Sequence, residues 1–223
     1  MYLDLEMDIT YACNLRCKNC NRMCRQKPAP TAFISLEAVQ RLKDSGIPVR
    51  RLGIVGGEPL LHPRLRDIIR LSTSFAKHVD LVTNGTIPFD RVELGLRPED
   101  GVLNSNKGTD YTGAFEPINR APKDFVDEPP EFYRKQCEIT TRCGRGLTPY
   151  GTYYICPVAG AIDRCFGYNL GLATPQELLM QHNQDLQAEV FCALCGHFGV
   201  RYLGFPWTTE EAISPSWASV LGR

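Results

Sequence analysis

A surplus of charge of either sign is missing from this sequence: its 25 lysines and arginines are matched by 25 aspartates and glutamates. That balance excludes the footprint of a nucleic-acid binder, which needs excess Lys and Arg to displace counterions. It also excludes wholesale disorder, because no high net charge accompanies the 43% of hydrophobic residues. Long apolar runs are missing too, and none approaches the roughly eighteen residues that a membrane span requires. The opening MYLDLEMDIT sets acids where a secretory signal carries first a basic and then an apolar stretch. These absences predict a soluble, cytoplasmic protein with neither a nucleic-acid nor a membrane partner. Its 223 residues suit one domain, or one domain with a small appendage.

Cysteine is absent between residues 24 and 137 but dense on either side, at 13, 17, 20, 24, 137, 143, 156, 165, 192 and 195. In a reducing cytoplasm that many thiols point to metal rather than disulfides, and the long cysteine-free stretch is unlike a stapled miniprotein.

The first hundred residues alternate strand and helix signals. Leu3, Leu5, Met7 and Ile9 alternate with Asp4, Glu6 and Asp8, a period of two that suits a strand with one buried face. Ser35 reads as an N-cap for a helix carrying Leu36, Val39 and Leu42 on one face, with Gly46 as its stop. Arg51 to Val55 is a short strand ending at Gly56-Gly57. Pro63 fits the first position of a helix whose apolar face is Leu65, Ile68, Ile69 and Phe75. Val79 to Val82 is a third strand, and Val92 to Leu96 a candidate fourth. The alternation predicts an α/β fold with a parallel sheet, open or bent into a partial barrel, with ligands at the carboxyl ends of its strands.

Residues 97–130 are rich in Pro and Gly and read either as a substrate loop or as a surface insertion. Thr152 to Cys156 reads as the second arm of a hairpin. Thr174, Pro175 and Glu177 start one helix with Leu178, Leu179, Leu186 and Val190, which delivers Cys192 and Cys195.

Chemistry concentrates in the cysteines. Cys13, Cys17 and Cys20 give a C-x3-C-x2-C spacing directly after the first strand. Three thiolates in so short a loop can hold one face of a cubic iron–sulfur cluster and leave one iron open to a small chelating ligand. A zinc site closed by Cys24 is the competing reading. The stretch from Asp8 through Cys20, followed by Gly56-Gly57-Glu58-Pro59 and Thr83-Asn84-Gly85 at later strand ends, resembles the radical S-adenosylmethionine (SAM) superfamily.

That resemblance implies a [4Fe-4S] cluster on Cys13, Cys17 and Cys20. It implies SAM binding at Gly56, Gly57, Glu58 and Pro59, the motif that contacts the SAM amino group, with Thr83 and Asn84 beside the ribose. The alternative for Thr83 and Asn84 is a plain turn. Family members usually carry an aromatic residue before the third cysteine, where this chain has Asn19. The fold implied is a shortened radical SAM (β/α) barrel over residues 1–130, loop-rich from 97.

In residues 131–223, Cys143, Cys156, Cys192 and Cys195, with Cys137 as alternate, resemble a SPASM/twitch-like extension. The resemblance implies a small domain with an auxiliary [4Fe-4S] cluster; a structural zinc site is the competing reading. Cys195-Gly196-His197 lacks the adjacent His of a haem attachment motif. Cys24 and Cys165 are left as spare thiols. Tyr111, Glu116, Arg120, Asp163, Arg164, His197 and Arg201 are candidate substrate contacts without a motif.

The activity implied is reductive cleavage of SAM to a 5′-deoxyadenosyl radical, which takes hydrogen from a small molecule or peptide for oxidation, epimerisation or rearrangement. The electron acceptor role of an auxiliary cluster favours dehydrogenation. Two alternatives are an activase for a glycyl-radical enzyme and a non-catalytic iron–sulfur or zinc module. Arg16, Lys18, Arg22, Arg25 and Lys27, with no acid between Tyr11 and Leu36, suit either docking of an acidic electron donor such as flavodoxin or ferredoxin or a solvated basic face. Because the chain enters its first strand at once, no leader-binding domain is expected before the barrel, which favours a small molecule, such as a sugar or natural-product intermediate, or a peptide delivered without such a domain.

Overall fold

The computed structural model describes residues 2–24, 32–105, 107, 116–134 and 137–222. The expectations placed on Arg25, Lys27 and Tyr111 lie outside the described residues.

The elements in chain order are β1 (Leu3–Thr10), α1 (Leu36–Asp44), β2 (Val49–Gly56), α2 (Leu65–Thr73), β3 (Ala76–Thr83) and β4 (Gly101–Asn104). There follow α3 (Pro130–Arg134), α4 (Ile139–Arg142), β5 (Arg145–Leu147), β6 (Tyr153–Tyr154), α5 (Ala159–Phe166) and α6 (Pro175–Leu179). The chain ends in α7 (Gln181–Cys192), α8 (Gly196–Tyr202) and α9 (Pro215–Leu221). One six-stranded sheet runs β4-β3-β2-β1-β5-β6, with only β6 antiparallel to its neighbour. Among the described residues, no helix is long and apolar enough to cross a membrane.

The first three strands and first two helices lie where the hydrophobic periods put them. Ser35 caps α1, its hydroxyl accepting from Ala38 N. Leu3, Leu5, Met7 and Ile9 of β1, Leu52 and Ile54 of β2, and Val79 and Leu81 of β3 join the apolar faces of α1 and α2 in one core. The alternate residues Glu6, Val55 and Val82 therefore face the opposite side of the sheet, because successive strand side chains point to opposite faces.

Four expectations need correction. Val92–Leu96 is no strand: Asp90 Oδ1 accepts from Val92 N and Glu93 N at 2.7 and 2.9 Å, and Gly95 turns at φ +86°. The fourth strand is Gly101–Asn104, starting at a glycine because a Cβ there would lie 2.0 Å from Asp80 Oδ1. The helix after Thr174 is two helices, broken at Met180 with an extended ψ of 126°. Pro63 precedes the N-cap Arg64 of α2, and β1 is covered on both faces from Met7 onward, with Asp8 buried.

A second apolar core collects Ile155, Val158, Ile162, Phe191 and Trp217 with Met23 from the loop after β1 and Ile118 and Ala121 from the middle of the chain. This core lies beside the polar face of the sheet and supplies the far wall of the site.

Candidate functional site

The carboxyl ends of β1, β2 and β3 meet at one place, held by backbone contact. Gly57 N donates to Thr10 O and Glu58 N to Ala12 O, both at 2.8 Å. A Cβ on Gly56 or Gly57 would lie 2.2 or 2.1 Å from those same carbonyl oxygens, so only glycine allows the two strand ends to lie this close.

Glu58 is fully buried and ties β2 to β3. Its Oε1 accepts from Thr83 Oγ1 at 2.8 Å and Leu60 N at 3.1 Å, and its Oε2 from Asn84 N at 2.8 Å. Glu58 and Pro59 therefore lie behind the strand ends, whereas Gly56, Gly57, Thr83 and Asn84 line an open cleft of about 270 Å³. Glu6, Arg22, Val55, Val82 and Lys107 line it as well, and Cys143, Pro157 and Val158 form its far side.

Asn84 clasps the loop that carries the first cysteines. Its Nδ2 donates to Asn14 Oδ1 at 2.8 Å and lies 4.0 Å from Cys13 Sγ, while Asn14 Nδ2 donates to Thr86 Oγ1 at 2.7 Å. Leu15 N turns onto Cys13 Sγ at 3.4 Å. Cys13, Cys17 and Cys20 are all half-buried. Burial pushes the Cys13 thiol up, and the nearby Cys20 and Cys17 add to the shift. A hydrogen bond from Cys24 holds Cys20 below the ordinary thiol range and leaves Cys24 protonated.

Behind the loop, Arg22 is buried between two acids of β1. It pairs with Glu6, and its Nε lies 2.8 Å from Asp8 Oδ1. Burial raises the Asp8 carboxyl to about 7 against the pull of Arg22. Arg164 of α5 donates to Arg22 O at 3.0 Å and Met23 O at 2.8 Å, and its guanidinium lies 4.6 Å over the Tyr11 ring.

The remaining cysteines separate. Cys137, Cys156, Cys192 and Cys195 line one cavity, walled by Tyr133, Ile155, Ile162, Phe191 and Phe198. Burial is the first cause that raises all four thiols, and proximity to one another adds to it at Cys156, Cys192 and Cys195. Cys156 sits at about 11. Cys143 is not in this set, because it caps α4 and turns into the other cleft beside Glu6. Burial and then the Glu6 carboxylate push its thiol up to about 12. Of the two candidates, the alternate Cys137 thus lies in the cavity with Cys156, Cys192 and Cys195, and Cys143 lies in the cleft.

Ile139 and Val158 line both cavities, so the wall between them is thin. Cys165 packs in the second core.

The donor sets fit iron–sulfur ligation. The cavity of Cys137, Cys156, Cys192 and Cys195 presents four thiols and no imidazole among its described lining, a soft set suited to iron–sulfur or zinc. Cys13, Cys17 and Cys20 stand on the loop beside the strand-end cleft, whose one lining cysteine among the described residues is Cys143. Among the described residues, no three Cys, His, Asp or Glu side chains converge as a single metal ion requires. A four-iron cluster is larger and keeps its thiolates further apart than one ion does.

The unmotivated candidates have other uses. His197 pairs with Glu116, Arg201 pairs with Glu138, and Arg120 lies 4.5 and 4.3 Å over the rings of Phe125 and Phe205. Asp163 accepts from Tyr154 Oη, Asn169 N and Leu170 N. None of these lines the cleft. Sequence reasoning passed over Glu6, Arg22 as a cleft residue, Ser105 and Lys107. A signal existed for Glu6: a parallel strand is normally covered on both faces, so its polar alternate residues mark a polar interior.

No protein-family model matches the chain. It is 36% identical over 132 residues to a GTP 3′,8-cyclase of Chlorobaculum tepidum, covering 51% of this chain and 38% of that protein. It is 29% identical over 171 residues to an AdoMet-dependent heme synthase of Oleidesulfovibrio alaskensis, covering 69% and 42% respectively. The chain thus spans about two fifths of the length of these relatives, 38% and 42%. Its fold is similar to that of BtrN, crystallised with AdoMet and 2-DOIA, at a TM-score of 0.54 and 14% identity over 88% of this chain and 92% of that one.

Proposed function

We propose that the chain is a radical SAM enzyme, the superfamily to which its relatives point, and that it binds SAM in the cleft at the ends of β1, β2 and β3 and begins radical chemistry there. The observation that carries the reading is the meeting of Cys13, Gly56-Gly57 and Thr83-Asn84 at one set of strand ends, bound together through Asn84 and Glu58. Cys13, Cys17 and Cys20 would hold a [4Fe-4S] cluster with one iron left to SAM. A cluster held there and reduced by an external donor would supply the single electron that splits the SAM sulfonium into methionine and a 5′-deoxyadenosyl radical, the species that would take hydrogen from an organic substrate.

The chain's own residues set the geometry. Gly56 and Gly57 bare their backbone to the cleft, so a ligand ammonium can approach peptide groups without side-chain obstruction. Glu58 acts from behind by fixing Thr83 Oγ1 and the Asn84 amide, which aligns the polar rim where a ribose would lie. Arg22 lines the cleft with Glu6 and pairs with both Glu6 and the buried Asp8, which fixes the charge of that wall.

The arrangement we infer is a shortened barrel with a twitch-like extension, in which Cys137, Cys156, Cys192 and Cys195 hold an auxiliary [4Fe-4S] cluster. Support comes from the cavity that gathers those four thiols and from its shared wall with the cleft. That wall favours an oxidative outcome on a small molecule or peptide, because close approach is what electron transfer out of the cleft needs. Exposed Arg16 and Lys18 on the loop suit an acidic electron donor such as flavodoxin or ferredoxin in the cytoplasm.

The test is formation of 5′-deoxyadenosine by the anaerobically reconstituted protein with SAM and a strong reductant. The wild type is expected to form it and Cys20→Ala to form none. Equal background from both proteins would return the chain to the class of non-catalytic iron–sulfur or zinc modules.

A further inference from the structure

The residue between Lys18 and Cys20 breaks the pattern of its loop. Asn19 is only 3% exposed while Lys18 beside it is exposed, and its backbone is left-handed at φ +53°. Asparagine is among the few non-glycine residues that accept that conformation readily. Its side chain reaches across the molecule: Nδ2 donates to Glu210 O at 2.7 Å and Oδ1 accepts from Ala212 N at 3.2 Å. The amide thus satisfies two backbone groups on one segment, one as donor and one as acceptor. Lys18 Nζ adds an exposed ion pair to Glu210 at 2.7 Å.

The segment so held is anchored at both ends. Before it, Phe205 N donates to Gly199 O at 3.0 Å, and the Phe205 ring fills the space a Cβ on Gly199 would need. After it, Ser214 N donates to Asn119 O at 3.0 Å and Ser214 Oγ accepts from Ala121 N at 2.9 Å. Three residues further, the buried Trp217 donates from Nε1 to Leu194 O at 2.8 Å, on the turn between Cys192 and Cys195. One continuous stretch therefore joins the cysteine loop to the last two thiols of the other cavity.

We propose that residues 208–214 are a strap over the cysteine loop, that Asn19 is the positioning residue that seats it, and that the seated strap shields the Cys13/Cys17/Cys20 site from solutes. The proposal rests on the reading that this loop holds an iron–sulfur cluster. With Asn19 removed, the middle of the strap keeps its end anchors and lifts from the loop more often. Two hydrogen bonds to backbone groups, each of ordinary net strength, set the size of the effect at about tenfold.

The experiment uses the whole 223-residue chain, reconstituted anaerobically, and follows iron release to bathophenanthroline disulfonate. Asn19→Gly keeps the left-handed backbone and removes both hydrogen bonds; Ala212→Pro removes one of them from the strap side. Both are expected to speed release of the loop's iron, about tenfold for Asn19→Gly and less for Ala212→Pro. In a Cys13/Cys17/Cys20→Ala background, adding Asn19→Gly should leave release of the remaining iron unchanged, and limited proteolysis should cut 208–214 faster in Asn19→Gly than in wild type.

Wild-type release rates in both variants would overturn the proposal. So would equal acceleration at both sites, which means general loosening, or faster proteolysis without faster iron release, which means a strap that does not shield. A wild type holding no iron beyond that of the triple variant would instead sink the cluster reading itself, and the strap's role with it.

Discussion

The two groups of cysteines are gathered in opposite ways. Cys13, Cys17 and Cys20 come from one turn of loop, half-buried, clasped by polar side chains from the end of β3. Cys137, Cys156, Cys192 and Cys195 come from distant parts of the chain and meet in an apolar cavity among aromatic rings. The first group is made by local spacing and needs only a rigid platform of strand ends. The second exists only once the second core has folded. A loop with three thiols and a polar rim suits an exchangeable ligand at an open position, whereas four thiols gathered into one apolar cavity suit a closed site.

The sharpest way to break this comparison is to exchange the competing cysteines. Cys137→Ser should cost about four irons per chain while Cys143→Ser keeps the full complement, read by iron analysis after reconstitution. The reverse result would return Cys143 to the ligand set and leave the cavity as plain packing.

Gly57→Ala tests the platform. With its Cβ 2.1 Å from Ala12 O, the β1 and β2 ends must part. A loss of roughly 3 kcal/mol in denaturant unfolding of the apoprotein is expected, with weaker SAM binding. An unchanged midpoint would show that the strand ends are not held as described.

Asp8 gives a pH-dependent effect with a definite sign. Its folded carboxyl sits near 7 against an ordinary 3.8, chiefly through burial. The folded state therefore holds the proton more tightly, and the stabilisation present below pH 3.8 is lost as pH rises through about 7. Asp8→Asn should flatten the fall in apoprotein melting temperature over that window, as read by thermal scans; parallel curves for the two proteins would contradict it.

Lys18→Met should change least, since exposed ion pairs contribute about 0–1 kcal/mol. Its thermal midpoint should stay within about 4 °C of wild type on that scale. A large drop would mean that the ion pair, rather than Asn19, seats the C-terminal segment.

Legibility in the sequence followed the same division. The period of two in β1, the Ser35 cap and the glycine pair after β2 are local signals, and each appears where its residues predict. The loop cysteines were legible for the same reason. Cys137 was not separable from Cys143, because the choice between them depends on how α4 packs against β1, and the six-residue interval contains nothing that records it. Val92–Leu96 misled because its apolar residues carry a strand composition, while Asp90 and Gly95 fold them into turns. Glu58, which the resemblance sets in the SAM-binding motif, lies buried behind the cleft, where its carboxylate accepts hydrogen bonds from Leu60, Thr83 and Asn84.

The central claim is that one chain holds two separate iron–sulfur sites, one local and one assembled by folding. Iron and acid-labile sulfide counted on the anaerobically reconstituted wild type and on Cys13/Cys17/Cys20→Ala test it most directly. The account predicts about eight irons in the first and about four in the second. About four in the wild type and none in the variant would leave the cavity of Cys137, Cys156, Cys192 and Cys195 without a cluster and contradict it.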